Sequence, residues 1–303
     1  MSVHVHDLTV GSAGPQSPVV LAVHGISGNG RTWLLFAQAL AEKLGPGAVR
    51  VLAPDLRGRG DSPAQPDHAG LDVHVADLVA LAATLPAPPL VVGHSMGGAI
   101  TALLGADHPD TVRALVLVDG GLSFAAPAGM GEADIDATLR TVLGPALARL
   151  EMSFESPAAY LEFFADHPAL GSLLAGPQAP MVRSYLEHDL RPSASEPGRW
   201  VSSCSLAAVR ADGRDLLFHP RAASAAREAV EHGVPVEFLW AARGLFDEPQ
   251  GLYDEQRLAL LAAPPAVRVT HVADTNHYSI VLSRKGVDPI ATAVARLLGH
   301  YPG

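Results

Sequence analysis

An α/β architecture is the fold class this 303-residue chain predicts: a mostly parallel central sheet with helices on both faces and an inserted helical cap. Short aliphatic runs at 3–10, 19–23, 50–53, 90–92, 114–118, 236–240 and 267–272 alternate with helical stretches, the pattern of strands joined by crossover helices. Runs such as Val19-Val20-Leu21-Ala22-Val23 and Leu115-Val116-Leu117-Val118 are apolar at every position, as strands covered on both faces must be. The alternation lapses from about 122 to 217, where Pro, Gly and scattered aromatics lie among helical stretches with no convincing strand.

The helices are expected at 32–44, 71–85, 96–108, 221–232 and 289–298. Pro109 stops the third, and Gly233 lies just past the fourth, the positions at which these residues end helices. Within the lapse, 157–165 reads as a helix with Ser156 as N-cap and Pro157 at its first position. Segments 86–89 and 191–198 read as loops. Strands 114–118 and 236–240 flank the lapse and must belong to one folded unit. The expected organisation is therefore a core of residues 1–121 and 218–303 with a cap at 122–217, and no internal repeat.

Composition excludes several function classes. Asp and Glu number 31 against 21 Lys and Arg, a net charge of −10, and no basic cluster is concentrated enough to hold a polyanion. Nucleic acid is not an expected partner. A single cysteine, Cys204, rules out an internal disulfide and any cysteine-based metal cluster, and is expected to be partly buried and inert. No apolar stretch approaches the roughly 20 residues that span a bilayer, and Met1-Ser2-Val3-His4-Val5-His6-Asp7 lacks the basic and apolar regions of a secretory leader. No membrane partner, cofactor or metal is expected, and the expected compartment is the cytoplasm.

The most informative segment is Leu90-Val91-Val92-Gly93-His94-Ser95-Met96-Gly97-Gly98. It sets a serine between glycines where an apolar strand meets a small, apolar helix, the Gly-x-Ser-x-Gly turn that thrusts a nucleophilic hydroxyl out of a strained corner. Gly93 and Gly97 are crowded together by that corner and have no Cβ to clash.

A serine hydroxyl at neutral pH needs a histidine base and an acid to orient it. His277 follows the run 267–272 in a loop on the edge where Ser95 emerges, and is the expected base. His271 lies inside the run and reads as structural, while His94 points the wrong way to take the serine proton. For the acid, Asp247 follows the run 236–240 and gives the chain order Ser, Asp, His. Asp119, just after 114–118, is the competitor. Asp247 is the expected acid, with Asp119 read as holding a turn beside Gly120 and Gly121.

Two backbone N–H groups must also face the oxygen that becomes negative, each worth roughly 3 kcal/mol of barrier. Met96 supplies one at the start of the elbow helix, and Ile26 in His24-Gly25-Ile26-Ser27-Gly28-Asn29-Gly30 is the expected second. This glycine-rich loop lacks both the Gly-Lys-Ser/Thr ending and the Gly-x-Gly-x-x-Gly spacing of nucleotide loops.

With these residues in order, the chain resembles the α/β-hydrolase fold family, and more narrowly its capped bacterial serine esterase/lactonase-like branch. The resemblance covers nearly the whole chain: His24-Gly25, Asp55-Leu56-Arg57-Gly58-Arg59-Gly60-Asp61-Ser62, Gly93-His94-Ser95-Met96-Gly97-Gly98, Asp247 after a strand, and Asn276-His277. In the segment 55–62, Arg57 is expected to bond neighbouring loops and Asp61 or Ser62 to cap the next element of the chain.

The resemblance implies a serine hydrolase acting through an acyl-enzyme on an ester or lactone but does not fix the substrate; the scarcity of concentrated cations in the cap favours a neutral, moderately hydrophobic one. Alternatives on the same scaffold are a thioesterase, a perhydrolase, a carbon–carbon bond hydrolase, or a slow-turnover small-ligand receptor. Phe154, Tyr160, Phe163, Phe164, Met181 and Trp200 of the cap are candidates to line the pocket with Leu245, Phe246 and Tyr278, against the plainer reading that they pack cap helices together.

Overall fold

The computed structural model describes residues 3–64, 69–122, 129–261 and 264–300. Met1 and Ser2, part of the segment read for a leader, lie outside the described residues, as do 123–128, where the expected cap begins.

The chain enters through β1 (Val5–Asp7) and β2 (Val19–Val23), then α1 (Leu34–Leu44), β3 (Arg50–Pro54), α2 (Leu71–Ala82), β4 (Leu90–His94), α3 (Met96–Asp107) and β5 (Ala114–Val118). There follow α4 (Ile135–Leu143), α5 (Pro145–Ala148), β6 (Ser153–Phe154), α6 (Pro157–Ala165), α7 (Gly171–Ala175), α8 (Ala179–His188), β7 (Leu190–Pro192), β8 (Trp200–Ser202) and α9 (Leu206–Phe218). The core resumes with α10 (Ala225–Glu231), β9 (Val236–Arg243), α11 (Glu255–Leu261), β10 (Arg268–Asn276), α12 (Ser279–Leu282) and α13 (Arg284–Leu297).

The main sheet has seven strands in the order β1-β3-β2-β4-β5-β9-β10. All pairs are parallel except β1 with β3. Every residue of β2, β4 and β5 is buried, because helices cover both faces and no side of these strands meets water. β1 shows the other regime: it is an antiparallel edge strand and only half-buried. Strand order reverses between β2 and β4, and a crevice opens there at the carboxyl ends of the strands.

Between β5 and β9 the chain forms helices and a second sheet of three short antiparallel strands, in the order β6-β8-β7. This corrects the expectation of a strand-free segment. Strands of two or three residues are too brief to show a period-2 alternation, and β7 claims Arg191 and Pro192 from the stretch read as a loop. The helix α6 starts as expected, with Ser156 Oγ accepting from Ala159 N and Pro157 first.

The last helix begins at Arg284, about one turn before the expected start at Pro289. Ser283 Oγ accepts from Gly286 N and caps it. Pro289 removes one bond to the carbonyl four residues back, and Lys285 at that position is exposed. Neither Asp61 nor Ser62 caps α2. Its N-cap residue Gly70 has no side chain to offer, and two carboxylates of α9 take that role: Asp212 Oδ1 accepts from Gly70 N at 2.8 Å and Asp215 Oδ2 from Leu71 N at 2.9 Å. Negative charge at a helix start is favourable, so the inserted segment is bonded to the core at this point.

No helix among the described residues is long and apolar enough to cross a membrane.

Candidate active site

Ser95 sits between β4 and α3 with φ 57° and ψ −122°, a conformation L-residues rarely hold unless the surroundings enforce it. The enforcement is visible at both glycines. A Cβ on Gly93 would lie 2.2 Å from Gly97 O, and one on Gly97 would lie 2.3 Å from Val23 O. The corner therefore closes only with glycine at these places, and Ser95 is left at the carboxyl edge of the sheet. Its N–H donates to Val118 O at 2.9 Å, tying it to the end of β5.

That tie sets which carboxylate comes beside Ser95. In the parallel pairing of β4 with β5, His94 stands opposite Val118, so Ser95 and Asp119 emerge side by side. Asp119 is fully buried. Its Oδ1 accepts from Ala241 N at 3.0 Å, and its Oδ2 stands 2.7 Å from His277 Nδ1. Asp247 is not brought to His277. It lies beyond the end of β9, one strand further from Ser95, and its Oδ1 accepts from Asn276 Nδ2 at 2.8 Å and pairs with Arg243 Nε at 3.0 Å. The expectation that Asp247 orients the histidine is corrected: adjacency in the sheet, which the chain order of Ser, Asp and His does not reveal, favours Asp119.

His277 is buried and lines the same cavities as Ser95. His94 is committed elsewhere: its Nε2–H donates to the carbonyl of His277 at 2.8 Å, and the two rings lie 4.6 Å apart. Burial first, and the neighbouring His277 ring second, push the His94 imidazole well below the usual histidine range. A neutral ring suffices for the bond it makes. His271, read as structural, is exposed and stacks on Trp240 with ring centroids 4.1 Å apart. Cys204 is buried, and burial raises its thiol pKa, as expected for an unreactive residue.

Ile26 and Met96 both line the cavity that contains Ser95 and His277. Among the described residues, no protein acceptor takes the N–H of either. Two buried guanidinium groups grip the loop that carries Ile26. Arg59 donates to Ile26 O through Nε at 2.8 Å and Nη2 at 2.6 Å, and Arg149 of the inserted segment donates to Ser27 O through Nη2 at 2.7 Å. Consecutive carbonyls are thereby held by two arginines, one from the core and one from the inserted segment. Arg59 also pairs with Asp212 on α9 at 2.6 Å, with both side chains fully buried. Burial alone would raise the Asp212 carboxyl, but Arg59 and His74 outweigh it and hold the group below its ordinary range.

His24 completes the support. Its Nδ1 stands 2.7 Å from Gly25 O and its Nε2 accepts from Leu56 N at 2.9 Å, which requires a proton on Nδ1 and none on Nε2. Burial lowers its pKa to about 4, in agreement with the neutral ring these bonds require. In the segment 55–62, Arg57 pairs with Asp77 of helix α2 at 2.5 Å, a helix rather than the neighbouring loops expected. Ser62 Oγ donates to Asp55 O and accepts from His4 N, at 2.7 and 2.8 Å.

A cavity of about 200 Å³ opens beside Ser95, Met96 and His277. Its wall is mainly apolar, with Leu139 and Leu143 of α4, Leu216 of α9, and Leu245, Leu252 and Tyr253 of the core. A narrower space of about 40 Å³ also reaches Ser95 and His277 and is bounded by Tyr185, Tyr278 and Leu282. Of the aromatic candidates, Tyr278 lines the latter, while Phe154, Tyr160, Phe163 and Phe164 stack edge-to-face on one another. These four aromatics pack the inserted segment, and the leucines of α4 and α9 are the wall residues sequence reading missed. Their spacing on amphipathic helices was the available signal, but it does not say which apolar face meets the core and which meets a cavity.

A family model described as alpha/beta hydrolase fold matches residues 18–283, most of the chain. The chain belongs to the α/β hydrolase family. A lipase of Mycobacterium tuberculosis, LipV, is 37% identical over 147 residues, covering 48% of this chain and 54% of the lipase. A pimeloyl-[acyl-carrier protein] methyl ester esterase of Chromobacterium violaceum is 37% identical over 133 residues, 43% of this chain and 49% of that protein. The chain thus spans about half the length of these curated relatives. Among solved structures, E-2-(acetamidomethylene)succinate hydrolase superposes with a TM-score of 0.72 at 21% identity, covering 98% of this chain and 94% of that one. The thioesterase domain of a curacin biosynthetic pathway superposes with a TM-score of 0.62 at 20% identity, covering 98% and 99%. At such identities these likenesses show the α/β hydrolase fold alone.

Proposed function

We propose that this α/β hydrolase is a serine hydrolase that cleaves a neutral, moderately hydrophobic carboxylic ester through an acyl-enzyme. The observation that carries the reading is the convergence of Ser95, held at a strained elbow, and His277, backed by Asp119 at 2.7 Å, on one apolar cavity. His277 takes the proton of Ser95 as Ser95 Oγ attacks the carbonyl, and the N–H groups of Ile26 and Met96 hold the oxyanion. The His277 imidazolium gives its proton to the departing alcohol. Water, deprotonated by the same ring, then releases the acid and frees Ser95. Asp119 orients His277 and stabilises its charged form.

The apolar wall of the larger cavity supports a substrate with an uncharged hydrocarbon portion. The titratable groups among its lining residues are Asp119, His277 and Tyr253, and Asp119 and His277 belong to the proposed reaction. The named activities of the lipase and esterase relatives agree with this reading. In the same reading, residues 122–217 act as a cap over the core formed by 1–121 and 218–303, because Leu139, Leu143 and Leu216 of the segment close the cavity above Ser95.

A panel of p-nitrophenyl esters, lactones and acyl thioesters of graded chain length tests the proposal. Esters with short to medium acyl chains are expected to turn over fastest, with charged acyl groups poor. Turnover of thioesters alone, or of none of the panel, would refute the ester assignment.

A further inference from the structure

Away from the Ser95 crevice, three histidines and two aspartates from separate parts of the chain converge beneath the edge strand. His4 and His6 come from the β1 segment, Asp55 and Asp61 from the turn after β3, and His188 from the end of α8 in the inserted segment. One ligand atom each from His4, His6 and Asp55 lie within 4.8 Å of one another, and the same holds for Asp55, Asp61 and His188. Asp55 belongs to both sets and joins them.

The two carboxylates are fixed from behind. Asp55 Oδ1 accepts from Gly30 N at 2.7 Å, and Oδ2 accepts from Asp61 N at 2.8 Å and faces His6 Nε2 at 3.1 Å and His188 Nε2 at 2.9 Å. Asp61 Oδ1 accepts from Arg191 Nη2, leaving Oδ2 at 3.8 Å from both His4 Nε2 and His188 Nε2. A separation of 3.8 Å is too long for a hydrogen bond. It is close to the spacing of about 3.4 Å between neighbouring ligands on a tetrahedral ion with bonds of about 2.1 Å. The rings of His4 and His6, and of His6 and His188, meet edge to face with centroids 4.6 and 4.7 Å apart, so the three rings pack in a row beside Asp55.

We propose that this cluster binds one divalent transition-metal ion of the zinc class, with ligands drawn from Nε2 of His4, His6 and His188 and Oδ2 of Asp55 and Asp61. Imidazole with carboxylate selects such an ion over Ca²⁺ or Mg²⁺, which favour oxygen ligands throughout. Two carboxylates neutralise the ion, and the Nε2 protons now shared with Asp55 pass to Nδ1 as the lone pairs turn to the metal. His188 belongs to the inserted segment and the other donors to the core, so the bound ion clamps one to the other. The site has no part in the chemistry at Ser95.

Zn²⁺ titration of the full chain, freed of any histidine tag and pre-treated with chelator, tests this by calorimetry together with thermal melting. One equivalent is expected to bind and to raise the melting temperature, and Co²⁺ in its place should give visible bands of a four- or five-coordinate nitrogen–oxygen site. The double variant His4→Ala/His6→Ala should weaken binding by more than about 100-fold and abolish the melting shift. His4 is 43% exposed on its side chain, so His4→Ala alone removes little buried contact and should still weaken binding. Absence of stoichiometric uptake, or uptake unchanged in both variants, as binding at His277 would produce, overturns the proposal. Uptake without a change in melting overturns the clamp.

Discussion

His277 Nδ1 and Asp119 Oδ2 lie 2.7 Å apart, both groups buried, although Asp119 follows β5 beside the elbow strand β4 and His277 follows the far edge strand β10. This pair predicts that Asp119→Asn lowers kcat by about 10⁴, since an amide there favours the wrong imidazole tautomer. Asp247→Asn should cost far less, because the Asp247 carboxylate bonds Asn276 and pairs with Arg243 rather than with His277. Steady-state kinetics on the two variants side by side check this. A crippled Asp247→Asn beside an active Asp119→Asn would reverse the assignment.

Arg59 predicts a stability effect of a different origin. Its guanidinium is fully buried, paired with Asp212 and bonded to Ile26 O. Arg59→Leu leaves a buried carboxylate without its cation, which costs about 3–5 kcal/mol. Urea denaturation should show that loss in the transition midpoint. An unshifted midpoint would mean that the pair contributes nothing net.

Much of this site is legible in the amino-acid sequence, and the exception is instructive. Ser95, Gly93 and Gly97 declare the elbow because a tight strand-to-helix turn tolerates so few residue types. His277 follows from its place after the last strand. Asp119 and Asp247 both follow strands and both have positive φ, so local chemistry does not separate them. Strand order separates them, with β5 beside β4 and β9 one place further, and order is a property of long-range pairing. The short strands β6, β7 and β8 were hidden for a related reason: they are held by pairing with one another rather than by a local pattern. The Arg59 and Arg149 contacts to the Ile26 loop also join residues distant in sequence.

His24 predicts how stability responds to acid. Its folded pKa is lowered by burial from 6.5 to about 4, so between these values the unfolded chain takes up a proton that the folded chain refuses. The stability this neutral ring contributes is fully present above about pH 6.5 and is lost as pH falls toward 4, by about 3 kcal/mol in all. Denaturant melts across that window should show the decline, and His24→Gln should flatten it. Equal slopes in the two proteins would contradict the buried neutral ring.

The central claim is that Ser95 is the nucleophile. Fluorophosphonate labelling followed by peptide mapping tests it most directly. The account predicts one adduct, on the peptide carrying Ser95, absent in Ser95→Ala together with a fall in ester turnover of about 10⁶. An adduct on another residue, or undiminished turnover in Ser95→Ala, would contradict it.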